Sequence, residues 1–284
     1  MEKVTVETFS EKKAKGEKIT ILTAYDYPTA KLIDEAGIDA ILVGDSLANV
    51  ILGHENTLAV TVDEMIHHTK AVARATKRAL LIGDLPFLSY QTSAEDAIRN
   101  AGRLIKEGHA EAVKVEGGSG VMDKIQAILN AGIPVMGHLG LTPQWIHQFG
   151  GFKVRGKTTE AAKAIVRDAE LLEQAGVFSI VLECVPWQLA KLITELVSVP
   201  TIGIGAGPYC DGQVLVLHDI LGLSDKFTPK FVKQYAQLNE AIKKALAEFL
   251  GEVRGGKFPS LEQSYSMAEE ELKKLVEEMK KGVH

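Results

Sequence analysis

Four carboxylates in this 284-residue chain stand where an apolar run stops: Asp45 after Ala40-Ile-Leu-Val-Gly44, Asp84 after Ala79-Leu-Leu-Ile-Gly83, Glu116 after Ala112-Val-Lys-Val115, and Glu183 after Phe178-Ser-Ile-Val-Leu182. Runs of this kind are buried on both faces, which means parallel strands, and an acid placed last on each reaches the same end of the sheet. Clustered carboxylates repel one another and are costly to bury unpaired, so a cation is their natural compensation. Oxygen ligands without Cys and with few His suit a hard octahedral ion such as Mg2+ better than zinc. Asp45, Asp84 and Glu116 are the candidate metal ligands. The remaining positions are open to solvent and to a bidentate molecule such as a 2-oxo acid.

Other reactive groups stand beside them. Lys114 precedes Glu116 by two residues and so shares its face of the strand, and His138 ends the run Ile133-Pro-Val-Met-Gly137. Lys114 has two readings, binding a carboxylate or enolate oxygen or pairing with Glu116. His138 is a site residue or a satisfied strand-end histidine. Glu183 leaves a wholly apolar strand, as a buried proton-transfer carboxylate would. The structural alternative is that each acid caps the helix after its strand, which serves for Asp45 or Asp84 singly and poorly for both together with Glu116.

The elements that would position these residues alternate. Strands are expected over 19–24, 39–45, 79–84, 111–116, 133–138, 178–183, 200–205 and 213–217, with helices over 28–36, from 61, and over 93–107, 121–131 and 159–174. Thr61-Val-Asp-Glu64 reads as a capping box, Ser93 as an N-cap, Thr142-Pro143 as an N-cap and N1 pair, and Gly37, Gly108 and Gly176 as helix stops. Eight βα units make a (β/α)8 TIM barrel, whose function sits at the C-terminal strand ends where these acids lie. The expectation is one α/β barrel domain over 1–284, with an amphipathic C-terminal helix at about 267–281.

Composition agrees with a single enzyme-sized domain: 46% hydrophobic and 24% charged residues, with a formal net charge of −5 that leaves no basic footprint for nucleic acid. The N-terminus alternates charges, and no uncharged apolar stretch of about 18 residues exists, so no membrane partner and a cytoplasmic location are expected. The two cysteines, Cys184 and Cys210, lack metal-site spacing, and Cys184 reads as a small residue closing a strand rather than a nucleophile. Gly203-Ile-Gly-Ala-Gly207 is too short for a dinucleotide loop and reads as a tight turn that lets a ligand approach the backbone. His67 and His68 read as surface residues pointing in different directions.

Seven runs carry a resemblance: Thr23-Ala-Tyr-Asp26, Val43-Gly-Asp-Ser46, Gly83-Asp-Leu-Pro-Phe87, Val113-Lys-Val-Glu-Gly117, Gly137-His-Leu-Gly-Leu-Thr-Pro-Gln144, Gly150-Gly-Phe-Lys-Val-Arg-Gly156 and Ile202-Gly-Ile-Gly-Ala-Gly207. In order and spacing, over about residues 3 to 265, they resemble the ketopantoate hydroxymethyltransferase family. The resemblance implies transfer of a hydroxymethyl group from 5,10-methylenetetrahydrofolate to C3 of 3-methyl-2-oxobutanoate, the first committed step towards pantothenate. It implies Asp45, Asp84 and Glu116 as Mg2+ ligands, Asp45, Ser46, Asp84 and Lys114 as substrate contacts with His138 at the same site, and Glu183 as proton acceptor. It also implies a homo-oligomer, a decamer. Gln263-Ser-Tyr265 departs from the His-Ser pair common in the family and leaves the rim contacts there open.

Two rival readings stand beside it. One is a carbon–carbon lyase or phosphoenolpyruvate mutase-like enzyme, although no Cys-bearing loop follows the fourth strand. The other is a non-catalytic ligand-binding barrel that kept its metal site.

Overall fold

Strands made almost wholly of aliphatic residues cannot leave either face to water, and here they close on themselves. The structure, a computed structural model, describes residues 2–224 and 228–282. The chain divides into two compact units, one up to Ala236 and one from Gln237.

In the first unit, α1 (Val6–Lys15) precedes β1 (Ile19–Thr23), α2 (Tyr27–Glu35), β2 (Ala40–Val43), a short α3 (Leu47–Val50) and α4 (Val62–Ala75). Then come β3 (Leu80–Asp84), α5 (Ala94–Lys106), β4 (Ala112–Glu116), α6 (Met122–Asn130), β5 (Val135–Gly140), a 3-10 turn at Pro143–Trp145 and α7 (Ile146–Phe149). The unit continues through α8 (Thr159–Ala175), β6 (Ser179–Glu183), α9 (Trp187–Leu196), β7 (Thr201–Ile204), β8 (Gly212–Leu215) and α10 (Leu217–Ile220). Each strand pairs in parallel with the next, and β8 returns to β1, closing an eight-stranded barrel. This is the (β/α)8 TIM barrel expected.

Alternation along each strand sorts the core. Ala40 and Leu42 join the barrel interior with Ile82, Ala112, Met136 and Ile202, whereas Ile41, Val113 and Val115 pack outward with Met65, Leu104, Ile125 and Leu172 of the helices. Because Ala112 faces in and Val113 and Val115 face out, the two-residue period sends Lys114 and Glu116 inward as well. Phe9 of α1 joins the interior cluster.

Local signals behave as read at the helix ends. Thr61 and Glu64 form a reciprocal capping box, Ser93 accepts from Asp96 N–H, and Gly176 ends α8 at φ 95°. Thr142 occupies the N-cap position of its turn but makes no side-chain cap bond. The fifth strand starts two residues later than expected, since Ile133 N–H still donates to Ile128 O and completes the exit from α6. Helices α1, α3, α9 and α10 lie outside the helices expected from the sequence, as does the later helix Leu238–Arg254. Only Phe9 of α1 is buried, so its apolar stripe is too thin to read, and α9 opens on Pro186 without a side-chain cap.

The second unit holds α11 (Leu238–Arg254) and α12 (Glu269–Lys281), the latter matching the C-terminal helix expected from sequence. Gln263 here serves a local cap, its Oε1 accepting from Ser260 N–H and Oγ–H. No helix among the described residues is long and apolar enough to cross a membrane.

Candidate active site

Strand register brings the polar residues together. Asp84 pairs in register with Lys114, and Glu116 with His138 two residues further along, so three adjacent strands present four charged or ionisable side chains at two successive levels of the barrel mouth. Lys114 Nζ donates to Asp84 Oδ2 at 2.8 Å and lies 4.0 Å from Glu116 Oε1, so its principal partner is the aspartate of the neighbouring strand, not the glutamate of its own. Asp45, two residues beyond β2, donates its backbone N–H to Asp84 Oδ2 at 3.1 Å. His138 Nδ1 stands 3.3 Å from Lys114 Nζ and 3.5 Å from Glu116 Oε1, and its Nε2 is 3.2 Å from Glu183 Oε2. Ser46 Oγ shares a 2.8 Å hydrogen bond with Tyr25 Oη. All seven predicted residues line one cavity of about 760 Å³.

None of the acids does the work of a helix cap. The helix after Asp45 has Ser46 at its N-cap with no side-chain cap bond, and the one after Asp84 is capped by Ser93. Glu183 corrects the expectation of burial. Its side chain is 16% exposed, against 1% for Asp84 and Glu116, so it opens on the cavity.

The cluster's electrostatics follow from crowding. Burial first, then repulsion from Asp84 and Glu116, pushes the Asp45 carboxyl well above the usual carboxylate range. Burial also raises Asp84, with Lys114 opposing it. Burial works to raise Glu116 too, but His138, Lys114 and the Gln144 N–H outweigh it and hold Glu116 low. For Lys114 the same burial opposes charge, yet Asp84, Glu116 and Asp45 hold it above its ordinary value as a firm ammonium. His138 is lowered by burial and by Lys114 and raised by Glu116 and Glu183, the carboxylates prevailing to bring it to about 9. The Nε2–Glu183 approach is an ion-pair contact whose alignment falls short of a hydrogen bond, so the upward direction rests on charge proximity.

Two buried carboxylate oxygens, Asp84 Oδ1 and Glu116 Oε1, have no hydrogen-bond partner among the described residues. Unsatisfied anionic oxygens suit a cation, and the donor set is all oxygen. Among the described residues, no group of three or more His, Cys, Asp or Glu stands in a ready metal-binding cluster. Lys114 holds Asp84 Oδ2, and Gln144 holds Asp45 Oδ2 and Glu116 Oε2, so each carboxylate has one oxygen engaged by a protein partner.

Sequence reading passed over Gln144 and Tyr90. Gln144 touches Asp45 and Glu116, and Tyr90 Oη lies 2.9 Å from both Glu116 O and Gln144 Oε1. The available signals were Gln144's place at the end of the run 137–144 that carries the resemblance and directly after the Thr142-Pro143 turn. Cys184 takes φ 47° beyond β6, and burial pushes its thiol up to about 12, which disfavours a nucleophilic thiolate. His67 is exposed, but His68 is half-buried, its Nδ1 2.7 Å from Tyr25 O. The glycine turn after β7 is real, with φ 64° at Gly205 and 83° at Gly207. What approaches it is protein: a Cβ on Gly207 would strike Trp187, and one on Gly205 would meet Phe231 at 2.8 Å.

Residues 3–261 match the family described as ketopantoate hydroxymethyltransferase. The chain belongs to this family. The 3-methyl-2-oxobutanoate hydroxymethyltransferase of Syntrophomonas wolfei subsp. wolfei is 60% identical over 275 residues, covering 97% of this chain and 100% of its own. That of Enterococcus faecalis is 58% identical over 273 residues, 96% and 99% of the two chains. Beyond the ketopantoate hydroxymethyltransferases, a phosphonopyruvate hydrolase solved with oxalate and Mg2+ superposes with a TM-score of 0.60 at 14% identity, covering 99% of this chain and 98% of that one. A 2,3-dimethylmalate lyase of the PEP mutase/isocitrate lyase superfamily gives 0.56 at 15%, covering 97% and 96%. At such identities the likeness is one of fold.

Proposed function

We propose that this chain, a hydroxymethyltransferase by family, moves a one-carbon unit from 5,10-methylenetetrahydrofolate to C3 of 3-methyl-2-oxobutanoate, giving 2-dehydropantoate in pantothenate biosynthesis. The observation that carries the reading is the placement of Glu183. A carboxylate opening on the cavity, 3.2 Å from His138, whose other ring nitrogen stands 3.3 Å from the buried Lys114 ammonium, suits removal of a proton next to a ketone.

Asp45, Asp84 and Glu116 would hold Mg2+. When bound, that ion would supply positive charge beside the oxo acid and so acidify its C3 proton. Glu183 accepts this proton at its carboxylate. Charge then builds on the 2-oxo oxygen, and Lys114, kept cationic by its acidic neighbours, offsets it. Ser46, tied to Tyr25, and Asp45, Asp84 and His138 orient the oxo acid. The C3 carbon attacks the methylene carbon of the folate, forming the C–C bond as one C–N bond breaks; water then replaces the remaining folate nitrogen, supplying the hydroxyl oxygen, and tetrahydrofolate leaves with one proton from C3 and one from that water on its two nitrogens. The upper cavity, walled by Phe152 and Phe231, offers apolar surface to a flat co-substrate.

With this reading go a cytoplasmic location and a homo-oligomer, the decamer implied by the resemblance. Leu272, Leu275, Val276 and Met279 of α12 are all exposed, which supports assembly.

The test follows the C3 proton of 3-methyl-2-oxobutanoate by NMR in D2O with Mg2+, with and without chelator. Exchange should depend on the metal and vanish in Glu183→Ala. Absence of exchange, even with a folate analogue present, would remove the assignment.

A further inference from the structure

We propose that Gln144 is a positioning residue that clamps one oxygen each of Asp45 and Glu116, so that their other oxygens are presented to a divalent cation. The inference rests on the reading of Asp45, Asp84 and Glu116 as cation ligands and adds to it a residue outside that set.

The geometry is specific. Gln144 is 3% exposed and sits in the turn that leaves β5. Its backbone N–H donates to Glu116 Oε2 at 3.0 Å, while its side-chain Nε2 donates to Asp45 Oδ2 at 3.1 Å and to Leu85 O at 2.9 Å. Its Oε1 accepts from Tyr90 Oη at 2.9 Å and from Gln91 Nε2 at 3.1 Å. A primary amide has two N–H donors and two acceptor lone pairs, and here all four have a partner within reach, the single Tyr90 hydroxyl proton being shared with Glu116 O. The flipped amide would set Oε1 against the Asp45 carboxylate and the Leu85 carbonyl, so the surroundings dictate which end faces Asp45.

The consequence for Glu116 is direct. With Oε2 held by Gln144 N–H, Oε1 is left without a hydrogen-bond partner among the described residues and faces His138 and Lys114. The clamp is also neutral. A lysine or arginine at this place would compensate the carboxylates itself and compete with a cation, whereas an amide orients Asp45 while leaving its charge uncompensated. Gln91 and Tyr90 in turn fix Gln144, so the arrangement is a supported outer layer, the kind whose loss lowers metal affinity by about 10- to 100-fold.

The test uses the full-length protein and Mn2+ as probe, with free Mn2+ counted by electron paramagnetic resonance and the melting temperature in EDTA as the control for folding. Gln144→Ala keeps the backbone N–H on Glu116 and loses the clamp on Asp45. Its Mn2+ Kd is expected to rise about 10- to 100-fold, with kcat largely recovered at saturating metal. A purely structural role would lower the melting temperature without moving the Mn2+ Kd of the folded fraction. Should Gln144→Ala not fold, Tyr90→Phe takes its place: it removes one donor to Oε1, and a several-fold weaker Mn2+ Kd is expected. A Kd within twofold of wild type in the folded variant overturns the proposal. If the wild-type protein itself binds no Mn2+, the cation reading fails first and the positioning role falls with it.

Discussion

Glu116 and His138 are register partners on adjacent strands, with Oε1 and Nδ1 3.5 Å apart, and the far nitrogen of the same ring is 3.2 Å from Glu183. One imidazole thus spans the buried carboxylate cluster and the acid that opens on the cavity. Its two carboxylate neighbours bring it to about 9 against the opposing effects of burial and Lys114.

That shift has a signed consequence for stability. A histidine raised in the folded state stabilises fully below its unfolded value near 6.5, and the contribution is lost as pH rises through about 9. Urea unfolding of metal-free protein between pH 6 and 10 should show a fall on the order of 2 to 3 kcal/mol from this group. His138→Gln should flatten the slope in that window; an unaltered slope would show that the ring titrates alike in the folded and unfolded states.

Asp45 and Asp84 both shift upward, because burial disfavours their ionised forms and neighbouring carboxylates repel them, Asp84 and Glu116 acting on Asp45 and Glu116 on Asp84. The folded state therefore keeps these protons to higher pH than the unfolded chain, and metal-free stability falls as pH rises above the ordinary aspartate value of 3.8. A divalent cation should reverse this, raising the melting temperature more at pH 8 than at pH 5. Asp45→Asn should stabilise the metal-free protein by roughly 1 kcal/mol at pH 8 and abolish the response to Mg2+. Scanning fluorimetry at the two pH values would decide it.

Removing the ammonium is expected to be costly. Lys114→Met would leave the Asp84 carboxylate, 1% exposed, without its 2.8 Å partner, a change worth about 3 to 5 kcal/mol when a buried pair loses one member. Equilibrium urea denaturation measures the loss, and C3 proton exchange should fall with it. A destabilisation below about 1 kcal/mol would mean that Asp84 takes up a proton in place of its partner.

Gly140 links fold to site. It has φ 95°, and a Cβ there would strike the carbonyl of Glu183, which accepts Leu141 N–H at 2.8 Å. Gly140→Ala should cost about 2 kcal/mol or more and reduce exchange beyond what its stability loss explains, because Glu183 must move. Gly132→Ala is the control: φ is 81°, but nothing lies within 4 Å of the added Cβ, so about 1 kcal/mol is expected with exchange unaltered.

The barrel and the place of its chemistry were legible in the chain because the signals are local. Near-continuous apolar runs such as 79–83 describe strands buried on both faces, and side-chain caps at Thr61 and Ser93 and the glycine at 176 depend on their own neighbours. The two-residue period alone placed Lys114 beside Glu116. Helices with a thin apolar stripe or no side-chain cap, such as α1 and α9, escaped for the complementary reason.

Tertiary structure decided what depends on which strand lies beside which, and how far along. Lys114 joins Asp84 because barrel register sets those residues opposite each other, a relation that no spacing within either strand encodes. Gln144 reaches Asp45 and Glu116 only because the turn after β5 folds over the strand ends, and Glu183 opens on the cavity where its apolar strand suggested burial. Residue types and short periods are written along the chain. Hydrogen-bond partners across the barrel mouth follow from closure of the sheet, in which residues far apart in sequence share one small volume.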